Sequence, residues 1–169
     1  RFDRTPEGKV HMQSLAALTG GVSSYEEAFN VVRRLKLDYA DKEQLFRMMV
    51  FNVLGGNIDD HDKNFSFLMD KQGTWSLAPA YDIVYSIDPN TLGFQKGQFM
   101  SIKGKVLDIT EKDILAIARE NDIDNPSGII SQVLDVVSNF RSYCKAVDIN
   151  EMTCDIMQRE LNDKYASFK

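Results

Sequence analysis

Positive charge in excess is the first thing this 169-residue sequence lacks: 20 Lys and Arg stand against 25 Asp and Glu, a formal charge of −5. That balance argues against nonspecific attraction to nucleic acid or to an anionic membrane surface, a local basic patch aside. Cysteine and histidine are equally scarce, two of each. With Cys144 and Cys154 far from His11 and His61, a four-ligand structural zinc site is not expected. The two cysteines fall in late helical patterns and read as reduced, packed thiols. No apolar run approaches the roughly 20 residues that cross a bilayer. The opening Arg1-Phe2-Asp3-Arg4 is no charged-then-apolar leader, so a cytoplasmic setting is expected. Repeats, low-complexity tracts and internal linkers are also missing, which favours one domain.

What is present is ordinary globular composition, 43% apolar and 27% charged, enough to bury a core. The opening segment to Glu7 reads as extended or turning. Residues 11–18 fit a short helix stopped by Gly20-Gly21. Ser24-Tyr25-Glu26-Glu27 has capping-box form and opens a helix through Ala28, Phe29, Val32 and Leu35. Asp41 is expected to cap the next helix, from about Lys42 to Leu54, whose apolar residues crowd all round it and mark it as core. Two short runs, Phe65 to Met69 and Thr74 to Leu77, flank Asp70-Lys71-Gln72-Gly73 and predict a β-hairpin. Residues 87–98 read as a surface loop, and Phe99 to Val106 as a short strand turning at Gly104. The last third is helical: a capping box at Thr110 and Asp113, a long helix from Pro126 to Lys145, and a final helix capped by Asn150. Trp75 reads as hairpin packing, His11 as a surface histidine, and Asn121–Asn125 as a turn between helices, since it lacks the closing Glu of a calcium loop. The fold class is mostly α with one small β-hairpin.

Between the core helix and the hairpin lies Asn57-Ile58-Asp59-Asp60-His61-Asp62-Lys63-Asn64. A charge-dense loop held at both ends by regular structure is a natural place for a site. Phosphoryl transfer asks for a carboxylate near the attacking hydroxyl, and for an amide and a further carboxylate to hold magnesium. Protein kinases space the first two as Asp-x-x-x-x-Asn on one loop, and bring the third in after a hairpin. Asp59 and Asn64 have that spacing, and the hairpin leads to Asp82. Lys63 is placed to neutralise a transferring phosphate, and His61 either braces the loop or touches the nucleotide. Asp60 is the rival for the base, and the spacing to Asn64 favours Asp59.

Together, Asn57 to Phe67 and Leu77-Ala78-Pro79-Ala80-Tyr81-Asp82 resemble the HipA-type serine/threonine kinases, the toxins of bacterial toxin–antitoxin modules. Arg1-Phe2-Asp3-Arg4 is similar to that family's hinge, and Phe99 to Lys105 fits its later pattern. The resemblance implies the C-terminal lobe of a protein-kinase-like fold over residues 1–169, starting at the hinge, with the N-terminal lobe outside this chain. It implies Asp59 as catalytic base and Asn64 and Asp82 as Mg²⁺ ligands. His61, Asp62, Lys63 and Tyr81 would lie along ATP, and Arg1 and Phe2 at its adenine end. A protein substrate such as an aminoacyl-tRNA synthetase and a HipB-like helix-turn-helix antitoxin are further implications. DNA would be reached only through that antitoxin, because the stretch from Pro126 to Lys145 offers only Arg141 and Lys145 as basic residues.

The sequence also departs from a whole kinase. It holds no Gly-rich phosphate loop between strands and no strand lysine paired with a helical glutamate. Two other readings therefore stand beside the protein kinase: a lipid or small-molecule phosphotransferase, and a non-catalytic module that keeps the lobe as a docking surface.

Overall fold

A computed structural model describes residues 1–88 and 97–168. About half of the chain is α-helical, and the described residues form two small antiparallel sheets. Strands β1 (Arg4–Thr5) and β2 (Gly8–Lys9) form a minimal hairpin at the start. Strand β3 (His11–Ser14) then pairs with β4 (Ser66–Met69), which pairs with β5 (Trp75–Leu77). The expected hairpin is β4–β5, turning over Asp70, whose carboxylate accepts from Gln72 N and Thr74 N at 2.9 and 2.8 Å. The expected helix over 11–18 is half strand: His11–Ser14 extends along β4, and only α1 (Leu15–Thr19) is helical. The partner that makes it a strand comes from more than fifty residues later, so local pattern carries no trace of it.

Helix α2 (Tyr25–Arg34) starts as expected, with Ser24 Oγ accepting from Glu27 N. Helix α3 (Tyr39–Leu54) begins three residues earlier than expected, because Asp38 rather than Asp41 is the cap and accepts from Asp41 N at 2.9 Å. Its Leu45, Phe46, Met49, Val50 and Leu54 are all buried, and it packs against α2, β5 and the later helices α5 (Pro126–Ser138) and α7 (Glu151–Phe168). A helix covered on so many sides needs apolar residues on every face. Past its end, Gly56 turns the chain at φ +74°, where a Cβ would lie 3.0 Å from the Tyr85 ring and from Ile87 Cδ1. Only glycine takes that turn without strain, and the turn delivers the chain into the 57–64 loop.

Helix α4 (Glu111–Glu120) carries the expected Thr110–Asp113 capping box. The single helix expected from Pro126 to Lys145 is two, α5 and α6 (Phe140–Ala146). The break falls where Ser138 Oγ and Asn139 Nδ2 both bond back to Asp135 O, side-chain bonds that compete with the helical ladder. Cys144 on α6 and Cys154 on α7 are both buried and free of any disulfide. Burial and the neighbouring Cys154 push the Cys144 thiol up to about 11, away from reactive thiolate. The strand expected after Phe99 is reduced to isolated bridges, Ser24 with Ser101 and Ile102 with Lys105 around a turn at Lys103-Gly104. Most of the loop expected over 87–98 lies outside the described residues. Among the described residues, no helix is long and apolar enough to cross a membrane.

Candidate active site

Neighbouring aspartates in the 57–64 loop face opposite ways, and this organises the site. Asp60 is fully buried. Its Oδ2 accepts from Tyr25 Oη at 2.6 Å and Gln98 Nε2 at 3.1 Å, and its Oδ1 from Phe99 N at 2.8 Å and Met100 N at 3.2 Å. Burial raises its pKa above the ordinary carboxylate value, with those four bonds working against the rise. Burial, and then the Asp60 carboxylate beside it, also holds the Tyr25 phenol well above its usual range. Around this hub, Asn52 Nδ2 donates to Tyr25 Oη and Asn57 Nδ2 to Asn52 Oδ1, both at 3.0 Å. With every acceptor lobe in use, Asp60 is a tie between α2, the loop and the 98–100 segment. It is not placed to receive a substrate proton.

Asp59 is the reverse. Its side chain is 62% exposed, while its backbone is fixed: Ser86 Oγ accepts from Ile58 N and Asp59 N at 2.8 and 3.1 Å. A carboxylate held outward on an immobile main chain has the form of a general base. His61 Nε2 lies 3.9 Å from Asp59 Oδ1, and the His61 ring meets the Phe99 ring edge-on at 5.7 Å. His61 Nδ1 is buried with no partner among the described residues.

Asp62 to Asn64 form a single 3-10 turn. Asn64 is buried and donates through Nδ2 to the Asp59 carbonyl at 3.0 Å. That bond fixes the amide, and Oδ1 is left as its unused acceptor. Tyr81 Oη donates to Lys63 O at 2.5 Å and meets Ser66 Oγ at 2.6 Å. These bonds tie the segment that carries Asp82 to the loop that carries Asn64 through the Tyr81 side chain. Asp82 is exposed and takes φ +53°, a left-handed conformation that aspartate tolerates better than most residues. Lys63 faces solvent.

Three further predicted residues have definite neighbours. Asp62 is turned inward, its Oδ2 accepting from Val22 N at 2.9 Å, so its contact is with the α1–α2 connection and not with the outward face. Phe2 lies against Tyr81, ring centroids 5.5 Å apart. Arg1 pairs with Asp3 at 2.7 Å in solvent. Sequence reasoning missed Ser86, Tyr25, Asn52 and Gln98, which hold the loop from four other places in the chain; nothing in their local sequence marks them.

The donor set can be tested against a divalent cation. Among the described residues, no three His, Cys, Asp or Glu side chains gather to hold a metal by themselves. Magnesium does not need them, since it keeps water and substrate phosphates among its six oxygens. An amide oxygen at Asn64 and an exposed carboxylate at Asp82 are oxygen donors of the kind such an ion takes. A cavity of about 220 Å³ between α3, α7 and residues 106–109, lined by Val53, Ile109, Lys164 and Phe168 among others, includes none of the loop's predicted site residues.

A helical lobe with a small sheet, carrying a loop built in this way, is the architecture of a kinase-like C-terminal lobe. Residues 1–155 match the HipA-like C-terminal domain, and the chain belongs to that family. A Sinorhizobium fredii protein named as a kinase is 31% identical over 140 residues, covering 71% of this chain and 34% of that protein. The serine/threonine-protein kinase toxin HipA of Shewanella oneidensis is 27% identical over 114 residues, 57% of this chain and 26% of the toxin. The fold superposes on HipA in a HipA, HipB and operator DNA complex of the same organism with a TM-score of 0.72 at 17% identity, covering 99% of this chain and 46% of that one. The chain thus spans about a quarter to a half of the length of these relatives.

Proposed function

We propose that this chain is the helical lobe of a HipA-type serine/threonine protein kinase that moves the γ-phosphoryl group of ATP to a protein hydroxyl. The opposed facing of Asp59 and Asp60 carries the reading: one carboxylate is spent on structure so that its neighbour stands outward on a fixed backbone. Asp59 takes the proton of the attacking hydroxyl. Asn64 Oδ1 and the Asp82 carboxylate are the oxygens that would hold Mg²⁺, whose bound charge offsets that of the β- and γ-phosphate oxygens. Lys63 adds a mobile positive charge at the same edge. Tyr81 ties the segment before Asp82 to the loop and, with its ring tilted against Phe2, forms the wall toward the adenine end of the nucleotide. This chain supplies positioning, which with electrostatics accounts for most of the catalysis in phosphoryl transfer.

Family membership supports a translation protein such as an aminoacyl-tRNA synthetase as substrate, a HipB-like antitoxin as partner and a cytoplasmic setting. The structural neighbour was captured with HipB and operator DNA, and in this reading the antitoxin makes the DNA contact. The test uses the natural polypeptide that carries this chain, incubated with γ-labelled ATP, Mg²⁺ and a bacterial extract. Label on protein that disappears with Asp59→Asn is expected. Label confined to lipid or small molecules would transfer the assignment to another phosphotransferase, and no label at all would leave a docking module.

A further inference from the structure

Among the described residues, Phe99 is a large exposed aromatic on a backbone tied to the loop that carries the proposed base. Its side chain is exposed, 52% by area, while Gln98 and Met100 on either side are 4% and 0% exposed. That alternation is strand-like, and it is enforced by bonds. Phe99 N donates to Ile58 O at 3.0 Å and to Asp60 Oδ1 at 2.8 Å, so Phe99 is tied to the residues on both sides of Asp59. Ser101 N donates to Ser23 O at 2.8 Å and Tyr25 N to Ser101 O at 3.0 Å, which anchors the segment to the start of α2. Gln98 and Met100 point inward with Asp60, and Phe99 points outward with Asp59. His61 stands between them, touching the Phe99 ring on one side and lying 3.9 Å from Asp59 on the other.

The backbone bonds fix where the Phe99 side chain leaves the chain, so its exposed ring lies on the Asp59 side of the loop. We propose that Phe99 is a specificity-determining residue: it seats an apolar side chain of the protein substrate, two or three residues from the acceptor serine or threonine. The spacing follows from one intervening imidazole ring, a gap that an extended peptide crosses in about three residues at roughly 3.3 Å each. This rests on the kinase reading for the direction of the substrate, but not for the existence of the contact.

The experiment separates the two. Nine-residue peptides with a central serine in a Gly/Ala background carry Leu or Gln at each position from three before to three after it. Their binding to the 169-residue chain is followed by chemical-shift titration. Peptides with Leu within three residues of the serine are expected to bind about tenfold more tightly than their Gln counterparts. Phe99→Ala should erase that difference and Phe99→Leu keep most of it, both with unchanged thermal stability because the ring is exposed. Equal affinity of Leu and Gln peptides, no binding of any peptide, or indifference to Phe99→Ala would each overturn the proposal. Phosphoryl transfer to protein by the natural polypeptide that carries this chain, and its loss with Asp59→Asn, reads the kinase assignment independently.

Discussion

Replacing Asp60 with alanine puts a number on the hub beneath the site. The change removes acceptors from four donors. Two of these have a second partner already: Gln98 Nε2 bonds Asn57 O, and Phe99 N bonds Ile58 O. Tyr25 Oη, which otherwise only accepts from Asn52, and Met100 N have no second acceptor, and both residues are completely buried. At about 1–3 kcal/mol for each stranded donor, the loss is about 2–6 kcal/mol. Removing a buried charge that was itself costly offsets a part of this, which places the expectation near 3 kcal/mol. Against a total stability of about 5–15 kcal/mol that is severe but survivable. For a chain of this size it corresponds to a melting temperature lower by about 6–12 °C. The assay is urea and thermal unfolding of the 169-residue chain followed by circular dichroism, with Tyr25→Phe and the double variant completing a cycle. Tyr25→Phe removes one stranded donor, so the double variant should be less unstable than the two single losses added together, by about 1–3 kcal/mol. A loss under about 1 kcal/mol for Asp60→Ala, or strict additivity, would refute the argument that Asp60 is a structural tie.

Asp59→Asn should leave unfolding within about 0.5 kcal/mol of wild type, since the side chain is exposed, and lower phosphoryl transfer by the natural polypeptide about 10²–10⁴-fold. The 169-residue chain by itself should show no turnover with labelled ATP and only weak, Mg²⁺-dependent nucleotide binding by calorimetry, because its sequence has neither the Gly-rich loop nor the paired lysine that hold the phosphates. Lys164 on α7 supplies a pH test: burial lowers its pKa to about 8. The unfolded chain then binds the extra proton between pH 8 and the ordinary lysine range, so this group adds stability as pH rises from 8 toward 10. Lys164→Met should flatten that slope in unfolding midpoints; an unchanged slope would count against the burial. Above pH 10 the buried tyrosines, whose pKa values are raised, act in the opposite direction.

Features written in short stretches were legible from sequence. The Ser24 N-cap, the Thr110 capping box, the all-round apolar character of α3 and the turn of the β4–β5 hairpin each follow from residues within a few positions of one another; at Ser24 the returning bond to Glu27 comes from Ser23 N and the Ser24 hydroxyl. Family membership was legible too, through the octet and the Tyr81-Asp82 pair. Where long-range partners decide the outcome, local reading stopped short. His11–Ser14 became a strand only because β4 lies beside it. Two adjacent aspartates look equivalent in a string, and what separates Asp59 from Asp60 is a phenol at position 25 and an amide at 98. Asp62 meets Val22, a neighbour forty residues earlier that no spacing rule anticipates.

Gln98 joins two distant parts of the molecule. Its Nε2 holds Asn57 O and Asp60, and its Oε1 accepts from Lys164 Nζ at 3.3 Å, with Val53 O as a further acceptor of that amine at the same distance. The match to the family ends at residue 155, nine positions short of Lys164. Trimming the chain at that limit would keep every group of the loop and still remove one of its outer supports, so the borders of recognisable kinship and of mechanical integrity do not coincide. Whatever grips the last helix has a lever on residues it never touches.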